Sequence, residues 1–252
     1  MAAMDEFKDE RESVKNKPLK YRIAYFWDYY KWYVIGAIAA IIVIVSTIKG
    51  IVTAKDTAVY AAMINYTENV DYSDDVFEDF LKMNDVDPKK NMINLDTTLY
   101  LTESGWSPAD VQSVQKLSVL LAAGDLDSIV TGAPYFQKYA YQGYLTDLRD
   151  VCDEDELKSI EGDIYYIDGA ISKLVIEAMD DNKEYDLSEA PDPSKPEEME
   201  DPIPVGIRLT DSKLLDAHFE YSYPAEERYG SVVINSKRPG MTKDLLMYLY
   251  KY

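Results

Sequence analysis

Apolar residues fall in three different patterns along this chain. From Trp32 to Ile48 they run without a break, WYVIGAIAAIIVIVSTI, 17 residues with no charge. Lys49 interrupts, and Gly50, Ile51 and Val52 carry the apolar character on. At a rise of about 1.5 Å per residue, roughly 20 residues cross a bilayer core, so 32–52 is predicted to span a membrane with Lys49 reaching outward. A buried core helix rarely stays uncharged on every face for so long. After residue 55 the pattern becomes periodic, with strand-like alternation and helix-like spacing taking turns. Between 180 and 204 it fades into acids and five of the chain's 11 prolines, which predicts a surface loop too polar to bury.

Within the periodic region, 57–66 reads as a buried strand. Val76, Phe77, Phe80 and Leu81 share a face of a helix over 74–84, with Ser73 as N-cap and acids in its first turn. Ile93, Leu95, Thr97, Leu99 and Leu101 alternate with Asn94, Asp96 and Thr98, predicting a half-buried strand over 92–101. Ser107, Pro108 and Asp110 mark a helix start, Val111, Val114, Leu117 and Leu121 follow at helical spacing, and Gly124 ends the element. A short strand is predicted at 127–131 and a helix at 134–142 ending on Gly143, then a short helix at 153–160. Ile164 to Ile167 looks like a strand, and 171–179 fits either a helix or a hairpin. The end of the chain reads strand 204–210, helix 211–220, strand 230–235 and helix 241–250. Alternating strands and helices predict an α/β domain with a mixed sheet over 53–252, preceded by the span and a leader, 1–31.

Charge sharpens that division. The net charge is −20 and the mean hydropathy −0.30, averages over unlike parts. Residues 1–31 hold 7 basic and 6 acidic side chains, and the rest hold 19 and 40. Lys15, Lys17, Lys20, Arg22 and Lys31 flank the apolar run on its N-terminal side, so the positive-inside rule places the N-terminus in the cytoplasm and the acidic bulk outside the cell membrane. Eight aromatics in 21–33 suit a headgroup belt, with Phe26 and Tyr30 at i, i+4 spacing. Val52, Thr53 and Ala54 offer small residues for signal cleavage, but the polar leader and the apolar run are both too long for a signal peptide, and an uncleaved single-pass anchor is expected.

Composition excludes several functions. So acidic a domain repels phosphate backbones, which rules against nucleic acid. A single cysteine, Cys152, excludes an intrachain disulfide and any multi-cysteine metal site. Neighbouring acids are expected to raise its thiol pKa and blunt its reactivity. His218 is the only histidine, and no nucleophile elbow, P-loop, dinucleotide fingerprint or zinc-protease motif occurs, so no catalytic residue, no metal site and no cofactor is assigned. A calcium loop at 85–89 fails because Lys89 takes a ligand position and Lys90 the glycine. Acid pairs at Asp74–Asp75 and Asp180–Asp181 are expected in a chain with 46 acids. The sequon at Asn65 falls in a predicted strand and is discounted.

One stretch carries a likeness. Residues 117–148, LSVLLAAGDLDSIVTGAPYFQKYAYQGYLTDL, resemble the segment of bacterial extracellular solute-binding proteins of the type 2 periplasmic-binding-protein fold where a helix ends at Ala123-Gly124. A strand follows with Asp127 and Ile129-Val130, then aromatics at Tyr135-Phe136 and a close on Gly143, Leu145 and Leu148. Residues 205–210 and 229–249 are similar to the late strand and helix of such proteins. Those proteins are usually longer, with two lobes about a hinge, and are commonly held by a lipid on an N-terminal cysteine; this chain has neither the length nor that cysteine. The resemblance implies a ligand site at the strand end, Thr131, Gly132 and Ala133, with Tyr135 and Tyr139 on the helix beyond, backbone amides of that helix start holding an anion or sugar hydroxyl. Trp106 would stack on a sugar face. The function this implies is a membrane-anchored, non-enzymatic domain that binds or senses a small solute or serves a transporter or sensor complex. The alternative is an accessory subunit of a membrane complex that keeps the fold without the cleft. Whether Thr131, Tyr135 and Trp106 line one pocket separates the two.

Overall fold

The computed structural model describes residues 17–102 and 107–252. The chain divides after Ala54 into two units, each treated by itself below.

Among its described residues the first unit holds one helix, α1 (Leu19–Thr53), begun at Pro18. Proline suits a helix start, where its missing N–H would be unpartnered anyway. Its 35 residues are a single element, so residues 19–31 and the apolar run are continuous. The stretch Tyr30–Gly50 is long and apolar enough to cross a membrane. The rings of Phe26 and Tyr30 stack at 5.2 Å, as their i, i+4 spacing predicts.

The second unit, Lys55–Tyr252, is an α/β domain built on a six-stranded mixed sheet. Its strands are β1 (Asp56–Met63), β3 (Asn91–Asp96), β4 (Ser128–Gly132), β5 (Ile164–Asp168), β6 (Pro202–Arg208) and β8 (Arg228–Val232), in the order β3-β1-β4-β8-β6-β5. β3, β1 and β4 run parallel, while β8, β6 and β5 pair antiparallel to their neighbours. Short strands β2 (Tyr66–Glu68) and β7 (Phe219–Tyr221) form a separate two-stranded ribbon.

The sheet is buried on both faces, which is why β1 reads as a nearly continuous apolar run. Val59, Ala61, Met63, Val130, Ile207 and Val232 point to one side. They meet α2 (Glu78–Met83), α7 (Lys213–His218) and α8 (Pro239–Lys251). Ala62, Ile64, Ile129, Val205 and Tyr229 point to the other side. They meet α3 (Pro108–Ala123), α4 (Ala133–Tyr141) and α6 (Gly169–Asp180). A last short helix, α5 (Glu154–Ser159), opens with a reciprocal capping box between Asp153 and Glu156.

Several elements depart from the sequence pattern for identifiable reasons. The strand at 57–66 breaks at Asn65, whose left-handed φ of 65° turns the chain out of the main sheet into β2. The same asparagine is fully buried, so the sequon's acceptor side chain is inside the domain. The strand at 92–101 stops at Asp96; Leu99 and Leu101 are still buried, but against the opposite face of the sheet. The helix at 74–84 begins as a 3-10 turn over Asp74–Phe77, and Phe77, Phe80 and Leu81 are buried as the spacing predicts. The 171–179 region is helical, within α6.

α3 starts at the Ser107 capping box and ends on the left-handed Gly124, as its sequence signals require. Its buried face, however, is rotated from the predicted one. Val111 and Val114 are exposed, while Asp110, Ser113, Leu117 and Leu121 face inward. Two polar side chains turn in because loop amides need them. Ser113 Oγ accepts from the Tyr100 N–H at 2.8 Å, and the Asp110 carboxylate accepts from the amides of Thr102 and Ser107, at 2.5 and 2.6 Å. Asp110 thereby ties Thr102 to Ser107.

Asp96 was expected on the solvent side of its strand and is instead buried. Its carboxylate accepts hydrogen bonds from the Tyr60 and Thr98 hydroxyls, each at 2.6 Å, and pairs with the Lys116 ammonium at 2.5 Å. Burial pushes this carboxyl's pKa up, but the bonds from Lys116, Thr98 and Tyr60 outweigh it and hold the pKa near about 2. The linked stabilisation is complete above the unfolded carboxyl's ordinary value and is lost as pH falls through the folded one. Acid titration of unfolding free energy is therefore expected to drop by about 2 kcal/mol from this group between roughly pH 4 and pH 2. Asp96→Asn should lower stability at pH 7 and flatten that segment of the curve.

The acidic loop is also more tied down than its composition implies. The Pro193 carbonyl accepts from the Tyr166 N–H at 3.0 Å on the outer edge of β5. Asp168 accepts from the amides of Glu200 and Asp201, at 2.9 and 3.2 Å, and Met199 is buried. The loop thus caps an edge that would otherwise present unpaired backbone.

Candidate functional site

In open α/β sheets the ligand crevice lies at the carboxyl ends of the parallel strands. Here β3, β1 and β4 supply those ends, and at the central pair Asn65 follows β1 and α4 grows from β4. Thr131 is fully buried there, and its hydroxyl has no hydrogen-bond partner among the described residues. Gly132 precedes α4 with φ −73°, so it is needed for space and not for an unusual backbone angle. A Cβ at this position would collide with the Tyr221 hydroxyl and the Glu226 carboxylate. Those two groups bond to each other at 2.8 Å, and the Tyr221 ring packs at 4.9 Å on Tyr66. The Ala133 N–H, at the start of α4, already donates to the Glu227 carbonyl at 2.8 Å. The space in front of the strand end is therefore filled by the β2–β7 ribbon and the chain leading into β8.

The remaining candidates are dispersed. Tyr139 is buried, and desolvation raises its phenol pKa well above the ordinary value. Tyr135 is half-buried on the same cluster. Trp106 lies outside the described residues. Gly132 thus packs against Tyr221 and Glu226, which the sequence pattern did not single out. Nothing local links Gly132 to a tyrosine 89 positions later; only the pairing of β2 with β7 brings them together.

Neither a family model, nor a curated protein, nor a solved structure matches this chain. The site must be read from its own chemistry. His218 ends α7 with its ring 6.4 Å from Tyr72, edge to face, and its Nδ1 is buried without a hydrogen-bond partner among the described residues. Burial pushes the Cys152 thiol up to about 11, with Glu156 adding to it and Lys243 opposing. The direction is the one expected from its acidic neighbours, but burial is the larger cause. Asp181 is exposed and bonded to Lys183 at 2.8 Å. Among the described residues, no cluster of three or more His, Cys, Asp or Glu side chains is placed to hold a metal ion.

Two charged pairs that the sequence pattern missed surround the sheet ends. Arg228, buried on β8, pairs with Asp216 at 2.7 Å and also bonds the Thr210 carbonyl. Asp127, just before β4 and fully buried, pairs with Arg238 at 2.7 Å. Both are satisfied within the protein, so their geometry suits holding the sheet together.

Proposed function

We propose that this protein is a single-pass membrane protein with a cytoplasmic N-terminus, and that its outer α/β domain works as a non-catalytic accessory subunit of a membrane complex. The apolar stretch of α1 and the basic residues before it support the anchor and its direction. The observation that carries the accessory reading is the collision at Gly132: where a solute-binding relative would keep its ligand space, Tyr221 and Glu226 occupy it. Recognition then passes to the outer surface of the domain, where a neighbouring membrane protein is within reach of an anchored chain.

Affinity capture of the full-length protein from membranes in mild detergent tests this. A stoichiometric membrane-protein partner is expected, and it should be retained by Thr131→Val. The reading fails if no partner is captured while a solute stabilises the protein thermally in a way that Thr131→Val abolishes.

A further inference from the structure

We infer that a second cleft, at the β5–β6 end of the sheet, binds a free α-amino acid with a large apolar side chain. The cleft holds about 460 Å³, within the range typical of small-molecule sites. Its floor comes from two paired strands. Ile164 and Tyr166 stand two apart on β5, and Pro202 and Pro204 stand two apart on β6, with Tyr166 opposite Pro204 in the register. Side chains two apart share a face of a strand, so the four make one apolar platform. Proline has no backbone N–H, which leaves this floor poor in donors and rigid. Leu157 of α5 adds an apolar wall.

Charge is confined to the other walls, and its arrangement selects the ligand. Lys158 of α5 and Glu161, three residues on, both line the cleft, and both side chains are exposed with no ion pair or side-chain hydrogen bond among the described residues. α5 ends at Ser159 and Glu161 opens the next short turn, and both side chains face the same cleft. The third charge, Arg149, is already neutralised: its guanidinium meets Asp147 at 2.9 and 2.5 Å. A free cation and a free anion over an apolar floor match a ligand that brings one carboxylate, one ammonium and one hydrocarbon side chain. A simple anion would leave Glu161 unanswered, and a simple cation would leave Lys158 unanswered. The zwitterion pairs both while its side chain covers Tyr166 and the prolines.

Calorimetric titration of the full-length protein in lipid nanodiscs tests the assignment, with L-phenylalanine, 3-phenylpropanoate, which lacks the ammonium, and phenethylamine, which lacks the carboxylate. Phenylalanine is expected to bind saturably, and each analogue at least about tenfold more weakly. Lys158→Gln should weaken phenylalanine about tenfold and leave phenethylamine unchanged; Glu161→Gln should weaken phenylalanine and leave 3-phenylpropanoate unchanged. Both residues are exposed, so the variants should keep the wild-type circular dichroism spectrum. Absence of saturable phenylalanine binding overturns the inference, as does binding indifferent to both variants. Thr131→Val should change nothing, and loss of binding in that variant would move the site to the strand end and overturn the inference. The partner capture above has an independent readout, so either conclusion can fail alone.

Discussion

Asp127→Ala is expected to lower the unfolding free energy of the 55–252 domain by about 3–5 kcal/mol, the range for breaking a buried ion pair from one side. The Asp127 carboxylate is fully buried and accepts four hydrogen bonds. The Tyr60 amide reaches it at 2.9 Å, the Ser236 hydroxyl at 2.7 Å, and the Arg238 Nε and Nη2 at 3.0 and 2.7 Å. Arg238 also donates through Nη1 to the Thr57 carbonyl at 2.7 Å, and it precedes α8 as that helix's N-cap residue. One side chain therefore joins β1, the entry to β4 and the start of the C-terminal helix. Removing it strands a buried amide and an arginine at once. Asp127→Asn keeps an acceptor for part of the set and should cost less than the alanine variant. Urea unfolding followed by circular dichroism measures both; a loss below about 1 kcal/mol for the alanine variant would mean that water replaces the carboxylate without penalty.

The second large effect concerns the anchor. Full-length protein is expected to stay with membranes through alkaline carbonate washing, whereas residues 55–252 expressed alone should appear in the soluble fraction. The 21 residues of Tyr30–Gly50 match the thickness of a bilayer core, and leaving them in water exposes apolar side chains along the whole stretch. Orientation can be read in the same cells. Glu197→Cys places a thiol on the exposed acidic loop, and a membrane-impermeant maleimide should label it from outside. Cys152 adds little background, because it is buried and its thiol is pushed up to about 11. Labelling only after the membrane is opened would reverse the proposed topology, and release of the full-length chain by carbonate would remove the anchor.

What could be read along the chain follows from how local the governing physics is. The cap at Ser107, the proline at 108 and the left-handed glycine at 124 each satisfy groups within a few residues, so the start and end of α3 were legible. Which face of α3 turns inward was not. Spacing favoured Val111 and Val114, but Tyr100 and Thr102 present amides that only Ser113 and Asp110 answer. Asp96 tells the same story: alternation placed it outside, and Lys116, Tyr60 and Thr98 hold it inside. The acidic loop was legible as a loop but not as the cover of β5, because a backbone acceptor such as the Pro193 carbonyl leaves no mark in composition. At the candidate site, the position of the strand end was legible from 127–132, while its closure by Tyr221 and Glu226 was not.

The sequence alone therefore determined the alternation of strands and helices, the cap signals of α3, the charge asymmetry and the 21-residue apolar stretch, since each depends on residues near one another in the chain. The tertiary structure decided the strand order, the rotation of α3, the inward turn of Asp96 and the filling of the space at Gly132. Those depend on pairs such as Asp127 with Arg238 and Gly132 with Tyr221, which lie about a hundred positions apart. Hydrogen bonds and packing act over a few ångströms of space, and only the folded chain converts that distance in sequence into contact.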